Sequence, residues 1–288
     1  MEKMMYKYCS FSEYTVTNIL NDELYMNHYE SFNDPFECWC NIVTGFPSKD
    51  EKSERLKKIL NAWRFEDISD SDAFENYDLY VDSISSMEPD IPGLIDHARI
   101  TCFSKRPDNL LMWSHYADGL RGFCLEFDPN LILVNNPNFA KIYEVEYEDQ
   151  PAEIDTALIA VLMDQIDYNT CALESVSSDD EALCYESGLD KSLINSNEIY
   201  MKMLATKPLD WKYEEEIRII YQSFCEKKSG QFLKYPPQAI KSVIFGEKMS
   251  EKQRDALKVL FELHPYPIAF KTAKREKGSF GVILDSGI

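Results

Sequence analysis

The chain has 288 residues, of which 44% are hydrophobic and 13% aromatic, enough apolar material for a sizeable core in one large domain or two small ones. Its 50 acidic and 30 basic residues leave a net charge of −20, which repels phosphate backbones at long range and argues against general nucleic-acid binding. No run approaches the roughly 18 apolar residues of a membrane span, and the charged start lacks a signal-peptide core; the expectation is a cytoplasmic protein with reduced thiols and no membrane partner.

In chain order, 5–11 reads as a strand and Ser12 as the cap of a helix to Asn21, with Val16, Ile19 and Leu20 on one face. A short strand, 23–27, leads to SFNDPFE at 31–37. There Asn33, Asp34 and Pro35 have the chemistry of a rigid turn, or of a ligand-binding loop, and Phe32 and Phe36 would pin the corner to the core. Residues 48–98 are charged and helical, with Leu56, Ile59, Leu60 and Trp63 at amphipathic spacing. The acidic run 66–75 reads as solvated loop and helix surface.

The chain organises itself around TCFSKRPDNLLMWSHYADGLRGFCLEFD, 101–128. A strand ending at Ser104 is followed by a short helix with Asp108 as its cap and Gly119 as its left-handed stop. Phe123, Leu125 and Phe127 then alternate with Cys124, Glu126 and Asp128 as in a half-buried strand. A unit this apolar must pack on a sheet, so Trp113 and Tyr116 should be buried and line one cleft with Trp211. His115 reads as a packing histidine with one hydrogen bond; His28, His97 and His264 stand isolated.

Further on, 141–148 is a strand with Tyr143, Val145 and Tyr147 on one face, 152–166 and 196–205 are helices, and 175–181 is a loop. In KPLDWKYEEEIRIIY, 207–221, alternation puts Tyr213, Ile217, Ile219 and Tyr221 on one face and Glu214, Glu216 and Arg218 on the other, with Glu215 pointing away from its acidic neighbours. Two carboxylates roughly 7 Å apart on one strand face repel unless they are paired or used. Arg218 is the nearest partner in the row. A solvent-exposed charge ladder is the plain reading of this face, whereas Trp211 and Tyr213 just before it favour a walled cleft. The C-terminal quarter reads as a strand ended by Gly246, a helix opened by a Ser250-x-x-Gln253 capping box, and strands 268–274 and 280–284 paired around Lys277-Gly278. The economical description is a single α+β domain over 1–288, with a mixed or antiparallel sheet core and helical insertions at 48–98 and 152–205.

The eight cysteines (9, 38, 40, 102, 124, 171, 184, 225) have no metal-ligand spacing, and unpaired thiols are expected. Ten glycines leave little material for a phosphate loop. Ser104 and His115 could join an acid in a hydrolase triad by inventory alone, without a nucleophile elbow.

The set YKYCSF (6–11), SFNDPFE (31–37), CFSKRPDNLLMWSHYADGLRGFCLEFD (102–128) and KPLDWKYEEEIR (207–218) resembles the bacterial domain family of unknown function numbered 2971. The order of elements also resembles the split-sheet ADP-ribosyltransferase fold: a Tyr-rich first strand, an immediate helix, a strand ending in Ser, and a late strand with Glu-x-Glu. That resemblance implies NAD as a substrate, with Glu216 as the catalytic carboxylate and Glu214 and Ser104 beside it. It implies a nucleotide site in the neighbourhood of Tyr8, Cys9 and Ser10, with Asn33, Asp34, Trp113, His115, Tyr116, Trp211 and Arg218 around it, and no metal. Cys9 stands where a cation is usual, so Lys7 or Arg106 would supply the charge. The first expectation is therefore an NAD-consuming ADP-ribosyltransferase or glycohydrolase, in the manner of a toxin or phage-defence effector, its acceptor unassigned. The alternative is a non-catalytic module that binds a small ligand or partner on the Trp113–Tyr116 surface and the 33–35 corner.

Overall fold

The computed structural model describes residues 4–63, 70–134, 140–223 and 228–286. Its first half runs β1 (Met5–Cys9), α1 (Glu13–Leu20), β2 (Glu23–Met26), β3 (Cys40–Val43), α2 (Glu54–Trp63), α3 (Asp70–Ile84), α4 (Ile91–His97), β4 (Ala98–Ser104), α5 (Leu110–Tyr116), β5 (Phe123–Phe127), α6 (Pro129–Ile132) and β6 (Ala140–Glu144). There follow β7 (Glu146–Glu148), β8 (Ala152–Asp155), α7 (Thr156–Ser175), α8 (Asp179–Leu204), β9 (Thr206–Pro208), β10 (Glu216–Gln222), β11 (Gln231–Lys234), β12 (Ile240–Gly246), α9 (Glu251–Glu262), β13 (Ala269–Arg275) and β14 (Val282–Ser286). The fold is mixed α and β, and the chain divides into two compact units: Met1–Glu37, Asp96–Asp149 and Lys207–Ile288 form one, Cys38–Ile95 and Gln150–Thr206 the other.

The first unit is built on an eight-stranded sheet in the order β14-β13-β12-β5-β1-β4-β10-β6. Neighbours run antiparallel except β12 and β13, whose parallel pairing needs a crossover, supplied by α9. Side chains alternate between the two faces. On one face Phe103, Phe127, Leu125, Ile217, Ile219, Val243 and Phe245 form the main core with Leu257 and Phe261 of α9. On the other, Tyr8, Cys124 and Ile244 meet Met112, Trp113 and Leu120. Trp113 is wholly buried, donates its indole N–H to the Pro107 carbonyl at 2.8 Å, and meets Tyr8 edge-on at 5.2 Å. That contact satisfies the one polar atom of the indole and seats α5 on the sheet.

The register has one irregularity that matters. β1 pairs with β5 along its whole length, from Met5 opposite Phe127 to Cys9 opposite Phe123, yet it meets β4 only at Tyr6 opposite Ser104. β4 pairs with β10 from Ser104 opposite Glu216 to Ala98 opposite Gln222. The sheet is nearly parted between β1 and β4.

The second unit packs Leu56, Ile59, Tyr77, Ile84, Ala157 and Val161 from α2, α3 and α7, as the spacing of Leu56 and Ile59 predicts. Arg55 holds Asp155 at 2.7 Å, and Asp155 caps α7 through the Ala157 amide at 3.1 Å. The parallel pair β3 and β8 lies beside them. The stretches read as insertions, 48–98 and 152–205, fall largely in this unit.

Several local expectations are corrected. Asn109, not Asp108, caps α5, accepting from the Leu111 and Met112 amides, while Asp108 is drawn off by the Arg106 guanidinium at 2.9 Å. Gly119 is left-handed as expected, but Asp118 and Leu120 on either side of it are too. Residues 141–148 break at Val145 into β6 and β7, and 152–155 are strand before α7 begins. The helix placed at 196–205 is the end of the longer α8, leaving only 176–178 outside helix there. Leu20 and Phe36 are exposed, so neither pins its element to the core. Residues 66–69 of the acidic run, and Cys225, lie outside the described residues; the seven described cysteines are free thiols.

Candidate functional site

Where β1 and β4 part, the first unit holds a cavity of about 450 Å³, within the usual range for small-molecule sites. β1 contributes Tyr6, Lys7 and Tyr8, β4 contributes Thr101, Cys102 and Phe103, and α5 contributes Met112, His115 and Tyr116. The corner after β2 adds Asn27, Ser31, Phe32 and Asn33, and Lys207, Glu214 and Glu216 complete the wall.

Glu214 is not on the strand. Residues Leu209–Glu214 form a tight helical turn and Glu215 is left-handed, with φ 43°, so β10 starts only at Glu216. The alternation read from the sequence fails because the corner rotates the chain. Glu215 leaves the wall and lies near Arg106 at 3.4 Å, half exposed.

The two remaining carboxylates meet through a residue that alternation does not single out. Lys207 Nζ donates to Glu214 Oε2 at 2.6 Å and to Glu216 Oε2 at 3.1 Å, and sits 4.7 Å from the Trp211 ring centre. Arg218 donates from Nε to Glu216 Oε1 at 2.9 Å and reaches Glu37 Oε1 at 2.6 Å from its other side. Tyr116 closes the row by donating its hydroxyl to Glu214 Oε1 at 2.5 Å. Glu37, Arg218, Glu216, Lys207 and Glu214 are all buried, and they alternate in sign. At Glu216 and at Lys207 burial works against the charge, yet the opposite charges win. The Glu216 carboxyl, pushed up by burial, is held down to about 2 by Arg218 and Lys207. Lys207, pushed down by burial, is raised by Glu216 and Glu214. Burial and Glu214 raise the Tyr116 phenol, and burial and Glu216 raise the Cys102 thiol, so both stay protonated as donors.

Backbone contacts fix this wall in place. Ser104 is fully buried and donates its hydroxyl to the Glu214 carbonyl at 2.7 Å while accepting the Arg106 amide at 3.3 Å. The Tyr147 hydroxyl accepts the Glu216 amide at 2.8 Å. Asn109 donates to the Tyr213 carbonyl, tying α5 to the same turn. Lys7 differs from the other cations: Nζ donates to Thr101 Oγ1 at 2.8 Å and to the Cys102 carbonyl at 3.1 Å, both neutral acceptors, and lies 5.1 Å from the Phe103 ring centre.

The residues singled out by sequence separate into two groups. Tyr8, Asn33, His115, Tyr116, Glu214 and Glu216 line the cavity, with Arg218 directly behind Glu216. Ser104 acts behind the wall as a turn clamp, and Trp113 is core, not lining. Trp211 stacks on Lys207 without lining the cavity, Cys9 packs against the main core, and Ser10 is exposed. Asp34 is buried and accepts the Phe36 amide at 2.9 Å, the role of a turn residue. His115 is exposed, against the rings of Tyr116 and Tyr213 at 6.4 and 6.2 Å, and is not a packing residue. Sequence reasoning named Lys7 only as a stand-in for the cation absent at Cys9, and it missed Glu37, Cys102, Tyr147 and Lys207. A signal existed for Lys207: two adjacent carboxylates demand a cation, and Lys207 opens their own segment.

Among the described residues, no group of three His, Cys, Asp or Glu is placed to hold a metal ion, and no helix is long and apolar enough to cross a membrane. Residues 112–219 match the model of the family described as Protein of unknown function (DUF2971), the family that the motifs resemble. No curated protein and no solved structure matches the chain.

Proposed function

We propose that the cavity binds a nicotinamide dinucleotide and that the protein breaks its nicotinamide–ribose bond, as an ADP-ribosyltransferase or NAD glycohydrolase. The observation that carries this reading is Glu216, a carboxylate held ionised and immobile in the wall of a cavity opened by a parted sheet. When nicotinamide departs with the bonding electrons, the ribose becomes a cation of oxocarbenium character, and water or an acceptor nucleophile closes the bond at that carbon. A fixed negative charge beside that centre lowers the barrier without having to reorganise. Lys7 suits the diphosphate, taking the part that Cys9 cannot, whereas Arg106 is exposed and occupied by Asp108. Phe32 and Tyr116 offer rings for the base and the nicotinamide. Such chemistry belongs where NAD is, in the cytoplasm, and suits a toxin or defence effector.

The test is nicotinamide release from NAD. Glu216→Gln should lower it roughly 100- to 1000-fold, as deleting a preorganised charge-stabilising group does. Glu215→Gln, one residue away and outside the cavity, should leave it unchanged. A second reading, a non-catalytic binding module, has its own observation: Glu214 and Glu216 already spend oxygens on the protein's own cations. Stabilisation of the fold by NAD or ADP-ribose with no nicotinamide released by the wild type would select it.

A further inference from the structure

One wall of the cavity hangs on a buried histidine. Asn27 is fixed to β4 by two backbone hydrogen bonds with Ile100, each 2.8 Å. His28 follows, 3% exposed, and its Nδ1 accepts the Glu30 amide at 3.2 Å, capping the short turn Tyr29–Ser31. The His28 carbonyl takes the Ser31 amide at 3.0 Å and the Ser31 hydroxyl at 2.7 Å. Ser31, Phe32 and Asn33 pass from that turn into the cavity lining.

A ring nitrogen that accepts from an amide carries no proton, so the proton of the neutral ring sits on Nε2. Nε2 is buried and has no hydrogen-bond partner among the described residues. Asp96 Oδ1 lies 3.6 Å away but is already taken by the Tyr29 hydroxyl at 3.0 Å. The charged groups facing the ring are Glu30, Asp96, Lys228 and Arg99. Lys228 reaches Glu30 at 2.7 Å and Asp96 at 3.5 Å, so these acids and bases largely offset one another. Burial, with Arg99 next, holds the imidazole below its ordinary value of 6.5. A second proton would go onto Nδ1, setting one N–H against another; the Glu30 Oε2 carboxylate oxygen stands 3.9 Å from Nδ1, too far to accept in place, so the cap cannot survive without movement.

We propose that His28 is a proton-operated latch on the cavity: neutral, it holds the 28–33 wall in position; protonated, it releases that wall. Because the imidazole value in the fold lies below 6.5, the ordered wall is present above that pH and is lost as pH falls below it through the folded value. This goes beyond the NAD reading and does not depend on it.

Hydrogen–deuterium exchange of the 29–33 amides tests the latch on the intact chain, after correction for the intrinsic pH dependence of exchange. Between about pH 7.5 and about pH 5 the wild type should lose protection at least about tenfold, with a midpoint matching the His28 ring titration followed by NMR. His28→Asn offers a side-chain oxygen to the Glu30 amide and does not titrate, so its protection should stay flat. A flat wild type would overturn the latch, as would a midpoint apart from that of the His28 ring. The same acid loss in His28→Asn would assign the release to Glu30 or Asp96 instead. Should His28→Asn not fold, the comparison of midpoints in the wild type decides alone.

Discussion

Lys207→Met takes the cation out of the wall and leaves its stem. Lys207 is 5% exposed and stands 2.6 and 3.1 Å from two carboxylates that are themselves 3% exposed. Glu216 keeps Arg218 at 2.9 Å, but Glu214 keeps, among the described residues, only the Tyr116 hydroxyl. Breaking a buried pair by removing one partner costs about 3–5 kcal/mol, chiefly because the orphaned charge stays buried. At about 2–4 °C per kcal/mol for domains of roughly 150–250 residues, the melting temperature should fall by about 6–20 °C near pH 7. The deficit should also depend on pH. In the wild type the Glu216 carboxyl is depressed from 4.5 to about 2, so its contribution is full above 4.5 and is lost as pH falls toward 2. Without Lys207 the buried Glu216 carboxyl loses one of the two cations that hold it down, so it rises and takes its proton in milder acid, and the gap to the wild type narrows toward about pH 4.5. Thermal melts of both proteins between about pH 4.5 and about pH 8 provide the measurement. A variant melting within about 2 °C of the wild type near pH 7, or a deficit independent of pH, would refute the reasoning.

Three further outcomes are expected. Trp113→Ala removes a wholly buried indole with a satisfied N–H and should cost about 3–5 kcal/mol in a chemical denaturation series; a wild-type midpoint would contradict its place under α5. Gly122→Ala would put a Cβ 2.2 Å from the Cys9 carbonyl oxygen and 3.0 Å from the Ala117 backbone, so the start of β5 must shift. A loss of about 1–3 kcal/mol or more is expected, and unchanged stability would show that β1 and β5 are not so close there. Alkylation of the native protein should modify Cys171 and Cys184 first and spare buried Cys124 until unfolding, with no mass change on reduction from any pair among the seven described cysteines.

The sequence carries the strands of the first unit well because their signals are local. Phe123, Leu125 and Phe127 mark their strand, although β5 is buried on both faces and not half-buried as their alternation implies, and the caps Ser12 and Ser250 act within three residues of themselves. Asp108 fails as a cap because Arg106, two residues back, competes for its carboxylate while Asn109 has no such rival. At Glu214 the period-2 reading fails for a different cause: the left-handed Glu215 interrupts the strand, and a left-handed non-glycine residue leaves no mark in composition. The carboxylates nevertheless meet, because Lys207, just before the 209–214 turn, stands between them and relieves their repulsion. The separation of β1 from β4 is invisible in either strand alone. It is a property of register between segments some ninety residues apart in sequence, Tyr6 and Ser104 being the single rung.

That single rung gives the sheet an edge in its interior. Edges normally lie at the rim of a sheet, where the unpaired main-chain groups meet water. Here the β1 and β4 main chains face each other across a gap, and the Lys7 ammonium on the Cys102 carbonyl takes a place that a neighbouring strand would otherwise fill. A molecule entering the gap therefore meets peptide groups as well as side chains. Peptide groups do not change when residues do, so substitutions around the gap can alter which molecule fits while leaving a constant frame to hold it. Substituting Lys7 is the exception, because it removes a side chain and exposes an edge at once.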